Sequence, residues 1–332
     1  DNLEEIIFNP GINLLFNKFT GKPGIVVSTG PSLNKNKHLL KGLEDKAVIV
    51  AADASLKILL EMGVKPHLVV ALERTLGILK LLNGIKTEDV QDVYFAACPV
   101  INPKVYEAFS APRLIVFRNF DHFKWLGVDR GILDIKLSAG NMAFKVLEAL
   151  GCNPIILIGQ DLAFSRDGYT HASGATLGEK QTFFYDRGTL EVKGNDGKSI
   201  LTSKVWYNFL KAYEMDIAGY NGTCINSTEG GAYIQGTQVM SFQEAINKYI
   251  QESFYPLTHI KKFLGTFTLG EVEKDRLRIT KLISITITDV EKIIVLCRQG
   301  LEACQKNRDR LDAILNNQYR LEEMHKILPN IE

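Results

Sequence analysis

Six short, nearly unbroken apolar runs recur between residues 24 and 161: "GIVVS", "AVIVAAD", "PHLVVALE", "VYFAACP", "RLIVFRN" and "PIILIGQD". A strand with one wet face alternates apolar and polar residues. A strand that is apolar throughout is buried on both faces. Between most of these runs lie helical patterns, "HLLKGLEDK", "ASLKILLEMG", "TLGILKLLNGI" and "NMAFKVLEALGC", which supply the covering layers. The repeat specifies an α/β class chain, doubly wound on a mostly parallel sheet.

The rest of the chain departs from this repeat. Residues 163–204 are polar and Gly-rich, a stretch long enough to be a functional loop or lid. Within it, "TLEVKGNDGKSIL" carries Asn-Asp-Gly between alternating flanks, the signature of a hairpin. "VWYNFLKAYEMDI" resumes as a helix and "TCINST" as a last strand. From about residue 241 the chain turns charged and helix-patterned, and it is expected to pack on the α/β domain or to pair with another helix. The amphipathic opening "DNLEEIIFNPGINLLFN" reads as a lead-in helix. The expected division is therefore 1–22, 23–240 and 241–332.

With 332 residues, 45% hydrophobic and 23% charged, the chain can bury a sizeable core. A formal net charge of +1 gives no reason to expect a nucleic-acid partner. No apolar stretch is long enough to span a membrane, so no membrane insertion is expected. The five cysteines (Cys98, Cys152, Cys224, Cys297, Cys304) show no metal-like spacing and suit reduced thiols in the cytoplasm. Cys98 and Cys152 read as core fillers. A chain that opens on Asp1 is expected to be a piece of a longer protein, or a processed one.

In a doubly wound sheet, ligands collect at the carboxyl ends of the strands. There the sequence places Ser28, Thr29, Gly30, Pro31 and Ser32 after the first strand. Asp53 follows the second, Glu73 the third, and Gln160 with Asp161 the sixth. Ser138, Ala139, Gly140 and Asn141 open the long helix. Gly30 lets backbone come close to a ligand, and Ser32 is placed to cap a helix whose first amides would favour an anion. Two such turns, with Asp53 and Asp161 at other strand ends, point to a nucleotide site, although each turn alone is also a plain helix cap. Neither GxxxxGK[ST] nor GxGxxG is present, and no closely spaced acidic pair suggests a metal. Tyr169 and His171, in the loop after Asp161, are candidates for a phosphate donor and an acid/base group. His38, His259 and His325 read as surface positions and His67 as a strand-start residue without chemistry. The Gly-rich segment from Asn226 to Gly236, carrying Glu229, reads as a loop closing the domain.

Several segments carry a resemblance: "VVSTGPSLNKN", "AADASLKILLEMGVKPHLVVALE", "LSAGNMAFKVLEALGCNPIILIGQDLAFSRDGYTHASG" and "INSTEGGAYIQG". Over about 25–240 the chain resembles the central domain of the motility-associated factor (Maf) proteins, bacterial flagellin glycosyltransferases with an MptE-like core. The helical tail resembles that family's C-terminal domain, while its N-terminal domain has no counterpart here. The core is more distantly similar to bacterial sialyltransferases. Their Gly-Asn-Gly-Pro-Ser-Leu turn corresponds to Ser28–Leu33, with Thr29 in place of Asn. Their catalytic His has no counterpart around Gly197–Lys204. The archaeal-type hydroxymethylpterin pyrophosphokinase shares the Gly-Pro-Ser turn, but its expected acids after the third strand are reduced here to Glu73.

The resemblance implies a Rossmann-like fold and an inverting, metal-independent transfer of a nonulosonic acid from a CMP-sugar donor to Ser or Thr of flagellin. No cofactor beyond that donor is implied. The Ser28–Ser32 and Ser138–Asn141 turns, with Gln160, would hold CMP. Asp53, Glu73 and Asp161 would orient hydroxyls, Tyr169 would donate to the leaving phosphate, and His171 would stand in for the missing base. A pterin pyrophosphokinase, or a nucleotide- or flagellin-binding module without turnover, are the alternatives.

Overall fold

The computed structural model describes residues 1–327; residues 328–332 of the expected helical region, and the side chain of His325, lie outside the described residues. Among the described residues, twelve strands form. β1 (Gly24–Val27), β2 (Val48–Ala52), β3 (Leu68–Ala71), β4 (Tyr94–Ala97), β5 (Arg113–Ile115), β8 (Ile155–Ile158), β11 (Cys224–Asn226) and β12 (Gln238–Val239) make one sheet, ordered β12-β11-β8-β1-β2-β3-β4-β5. Every pair in it is parallel. This is the doubly wound α/β fold that the apolar runs specify.

The register explains why those runs are unbroken. Ile25 pairs with Ile49 and Ile156, while the next residue, Val26, pairs with Val50 and Leu157. Ile25, Ile49 and Ile156 pack into one core cluster, and Val26, Val50 and Leu157 into another. Successive side chains point to opposite faces, and both faces are dry. Helix Ala139–Ala149 covers one face with Met142, Phe144 and Leu147; Ile58, Leu59 and Phe242 cover the other.

The order matters for function. β1 to β5 run outward in one direction, and β8, β11 and β12 in the other. The strand order thus reverses between β1 and β8, which opens a crevice at their carboxyl ends.

Some elements differ from the sequence reading. "RLIVFRN" is not one strand: β5 stops at Ile115, and β6 (Phe117–Arg118) pairs in a separate small sheet with β7 (Ile132–Leu133). "HLLKGLEDK" is preceded by a short helix, Leu33–Asn36, and its own turn is 3₁₀, Lys37–Leu40. The opening segment is a six-residue helix, Leu3–Phe8, and a 3₁₀ turn, Ile12–Leu15, separated at Pro10 and Gly11. Ile12 and Leu15 are fully buried in the core. The hairpin is present as β9 (Thr189–Lys193) and β10 (Ser199–Ser203).

His67 is buried at the start of β3, where its Nδ1 accepts the Ile49 N–H at 2.9 Å. Burial pushes its pKa down to about 4, so the ring acts as a neutral clamp between β2 and β3.

The chain forms two compact units, Asp1–Asp275 and Arg276–Glu332. Helices Phe242–Tyr249 and Pro256–Leu264 belong to the first, where Phe242, Ile260 and Leu264 enter the core around the sheet. The described residues of the second unit are the remainder of the 59-residue helix Leu269–Ile327.

Candidate functional site

The turn after β1 meets the end of β8 across the crevice. Ser28 Oγ donates to Gln160 Oε1 at 2.5 Å, and the Tyr213 hydroxyl donates to the same oxygen at 3.0 Å. Gly140, in the first turn of the long helix, lies against this group: a Cβ there would stand 2.5 Å from Gln160 Oε1 and 2.9 Å from the Tyr213 oxygen. The residue must be small because three polar groups converge on it.

Asp161 is the centre of the arrangement. Its Oδ2 accepts the Ser32 hydroxyl at 2.7 Å, and its Oδ1 accepts the Ser32 N–H at 3.1 Å. One expectation changes. Ser32 does not cap the following helix with its side chain, because its hydroxyl goes to Asp161. Gly30 has to be small to make room for this carboxylate, since a Cβ on Gly30 would overlap it. The anion held by the turn is the protein's own.

Burial raises Asp161 to about 7, and the Ser32 hydrogen bonds and Lys35 only partly oppose that. Asp161 is therefore balanced near neutrality between a proton donor and an anion.

Two cavities meet at Asp161. The small one, about 70 Å³, is lined by Ser28, Thr29, Gly30, Gln160, His171 and Trp206 among others. The large one, about 860 Å³, is bordered by Pro31, Ser32, Lys35, Arg166, Tyr169 and Glu229 among others. Asp161 lines both. The loop after β8 is tied over the turn: Ala172 N–H donates to Thr29 O at 2.8 Å, and Ser173 N–H to Asn34 Oδ1 at 3.0 Å.

His171 sits against aromatic rings, 5.6 Å from Phe184 and 6.4 Å from Trp206 between centroids. Its Nδ1 is 3.0 Å from the Thr170 hydroxyl. Burial lowers its pKa to about 4, which keeps the imidazole neutral at physiological pH. Tyr169 faces the large cavity, with the Lys180 ammonium 4.4 Å from its ring centre.

The remaining expected residues lie further out. Asp53 is buried at the end of β2, where its Oδ1 accepts the Ala54 N–H at 2.8 Å. Burial, with a smaller contribution from the Glu73 charge, raises it to about 6. Glu73 is exposed at the end of β3. Neither residue lines the two cavities. Ser138 caps its helix, accepting the Asn141 N–H at 3.2 Å, and donates to Asn141 Oδ1 at 2.8 Å. Asn141 is fully buried with its Nδ2 unpartnered, and neither Ser138, Ala139 nor Asn141 lines either of these two cavities.

Sequence reasoning missed Trp206, Tyr213, Lys35 and Arg166. It also read the Glu229 segment as a mere closing loop, whereas Glu229, Gly230 and Gly231 form a wall of the large cavity. Glu229 Oε1 accepts the Phe242 N–H at 3.0 Å, and Lys35 Nζ donates to the Glu229 carbonyl at 2.6 Å. The signal available in sequence was the Gly-Gly pair: a Cβ on Gly231 would overlap the Asp161 backbone.

Among the described residues, no three His, Cys, Asp or Glu side chains cluster so as to hold a metal ion. No described helix is long and apolar enough to cross a membrane.

A parallel sheet with its polar turns gathered at the reversal of strand order defines a doubly wound α/β protein, whose candidate site lies at the switch point. The model of the family described as 6-hydroxymethylpterin diphosphokinase MptE-like matches residues 1–167, half of the chain, and the chain belongs to that family. Among solved structures, the Maf glycosyltransferase from Magnetospirillum magneticum AMB-1 shares the fold, with a TM-score of 0.59 at 18% identity. The match covers 82% of this chain and 42% of that one, so this chain spans less than half the length of that relative. No curated protein matches the chain by sequence.

Proposed function

We propose that the chain is the catalytic part of a glycosyltransferase that moves a nonulosonic acid, of sialic, pseudaminic or legionaminic type, from a CMP donor to Ser or Thr of flagellin. One observation carries this reading. The Ser28–Ser32 turn stands at the strand reversal, opposite Gln160 and Asp161, and borders both cavities. The fold shared with a Maf glycosyltransferase supports it. The large cavity is in the size range of small-ligand sites, roughly 300–1,000 Å³. Lys35 and Arg166 give it cationic groups for a phosphate.

In this scheme the acceptor oxygen bonds to the anomeric carbon of the sugar as the bond from that carbon to the CMP phosphate oxygen breaks. The electron pair leaves with CMP, and one displacement inverts the centre. Neutral His171 takes the acceptor proton. The Tyr169 hydroxyl and the cavity cations stabilise the leaving phosphate, which is how hydrogen-bond donors do the work of a metal. Asp161, held by Ser32, orients the sugar or the acceptor between the two cavities. The same reading puts the protein in the cytoplasm, where its free cysteines stay reduced.

The test is to incubate the chain with each CMP-nonulosonic acid and flagellin, following CMP release and the intact mass of flagellin. Release of CMP with a matching mass gain is expected. The family description makes a diphosphokinase the rival. Transfer of diphosphate from ATP to a hydroxymethylpterin, with no CMP released from any donor, would replace the proposal by that reading.

A further inference from the structure

The helix Leu269–Ile327 runs unbroken, and in the second unit its apolar residues follow a fixed rhythm. From Ile283 to Leu315, ten positions are spaced alternately four and three residues apart. Nine of them are apolar, and the tenth is Arg308. From Ile287 onward these side chains face water: Ile294 is 44% exposed, Leu301 is 71% exposed, and Cys297 and Cys304 are exposed free thiols.

A 3.5-residue period drifts slowly around a 3.6-residue helix. Only a partner that winds with that drift covers it along its length, and such a partner is another helix of the same period. The charges beside the seam select the partner. Glu291 follows seam residue Val290, and Arg298 follows Cys297 one heptad later. Around a two-fold axis near residues 295–296, an antiparallel copy brings Glu291 to Arg298 twice. It stacks Ile294 on Cys297 and Val290 on Leu301. A parallel copy in register would instead set Arg308 against Arg308 within the seam.

We infer that this helix is a self-association surface, forming an antiparallel two-stranded coiled coil with a second copy of the chain. The arrangement is isologous and closes on itself, as two-fold interfaces do.

Sedimentation equilibrium of the full chain tests this. The chain should sediment at twice its mass. Ile294→Asp with Leu301→Asp should make it monomeric while leaving the melting of the α/β unit in place. Glu291→Arg should weaken the dimer about tenfold, by setting like charges together at two symmetric places. Adding Arg298→Glu should restore it. A chain that is monomeric at every concentration, a dimer indifferent to Ile294→Asp with Leu301→Asp, or a charge swap that fails to rescue would each overturn the inference.

Discussion

Ser32 and Asp161 are joined twice, through the serine hydroxyl at 2.7 Å and the serine N–H at 3.1 Å, although 129 residues separate them in the chain. The pair bolts the turn after β1 to the loop after β8, across the reversal of strand order. Ser32→Ala removes the hydroxyl and leaves a buried carboxylate oxygen short of a donor. A hydrogen bond to a charged group contributes about 1.5–3 kcal/mol. Chemical denaturation above pH 7, where Asp161 is ionised, should show a loss of that order, and a variant as stable as the parent there would contradict the role given to this pair.

The same pair sets a pH dependence. In the folded chain Asp161 titrates at about 7, above the ordinary 3.8. Between these values the unfolded chain has released its proton and the folded chain keeps it, so this group's contribution is complete below 3.8 and is lost as pH rises to about 7. Asp161→Asn does not titrate. Its melting temperature relative to the parent should therefore climb from pH 4 to pH 7 and then level off. Parallel curves for the two proteins would show that Asp161 is not protonated in this range.

His171 acts in the opposite direction. Its pKa is lowered from 6.5 to about 4, so its contribution to stability is complete above 6.5 and is lost as pH falls towards 4. As a base it stays available down to that pH. The acid limb of the transfer rate should lie near pH 4–5, not near 6.5. His171→Ala should cost about 10²-fold or more in rate. Full activity in that variant would remove His171 from the mechanism.

Lys35 and Arg166 border the large cavity and are the cations placed to meet a ligand phosphate there. Each is already engaged, Lys35 with the Glu229 carbonyl at 2.6 Å and Arg166 with Asp196 at 2.5 Å. Lys35→Ala should weaken CMP binding about tenfold, the scale of one charge-assisted hydrogen bond. Equal affinity by titration calorimetry would move the phosphate elsewhere in the crevice.

How much of this was legible depends on the range over which each feature is decided. The strands were legible because burial on both faces leaves its mark residue by residue, as in Ile25, Val26 and Val27. The Asn195-Asp196-Gly197 hairpin was legible because turn chemistry is local. The true partner of Ser32 was not, since it lies 129 residues away and a serine before a helix reads locally as a cap. Gly30 was legible only in part for the same reason: smallness was visible, but not the carboxylate that requires it. Strand β12 was missed because two exposed residues, Gln238 and Val239, pair at the sheet edge without an apolar pattern. Trp206 looked like one more apolar position on a helix. Only the fold stacks it on Phe184, 4.2 Å between ring centres, beside His171.

Calorimetric titration of the chain with CMP in the absence of divalent metal, followed by ATP with Mg²⁺, addresses the central claim most directly. The account predicts saturable one-site binding of CMP without metal, weakened by Lys35→Ala. Binding of ATP–Mg²⁺ alone, with no heat from CMP, would contradict it.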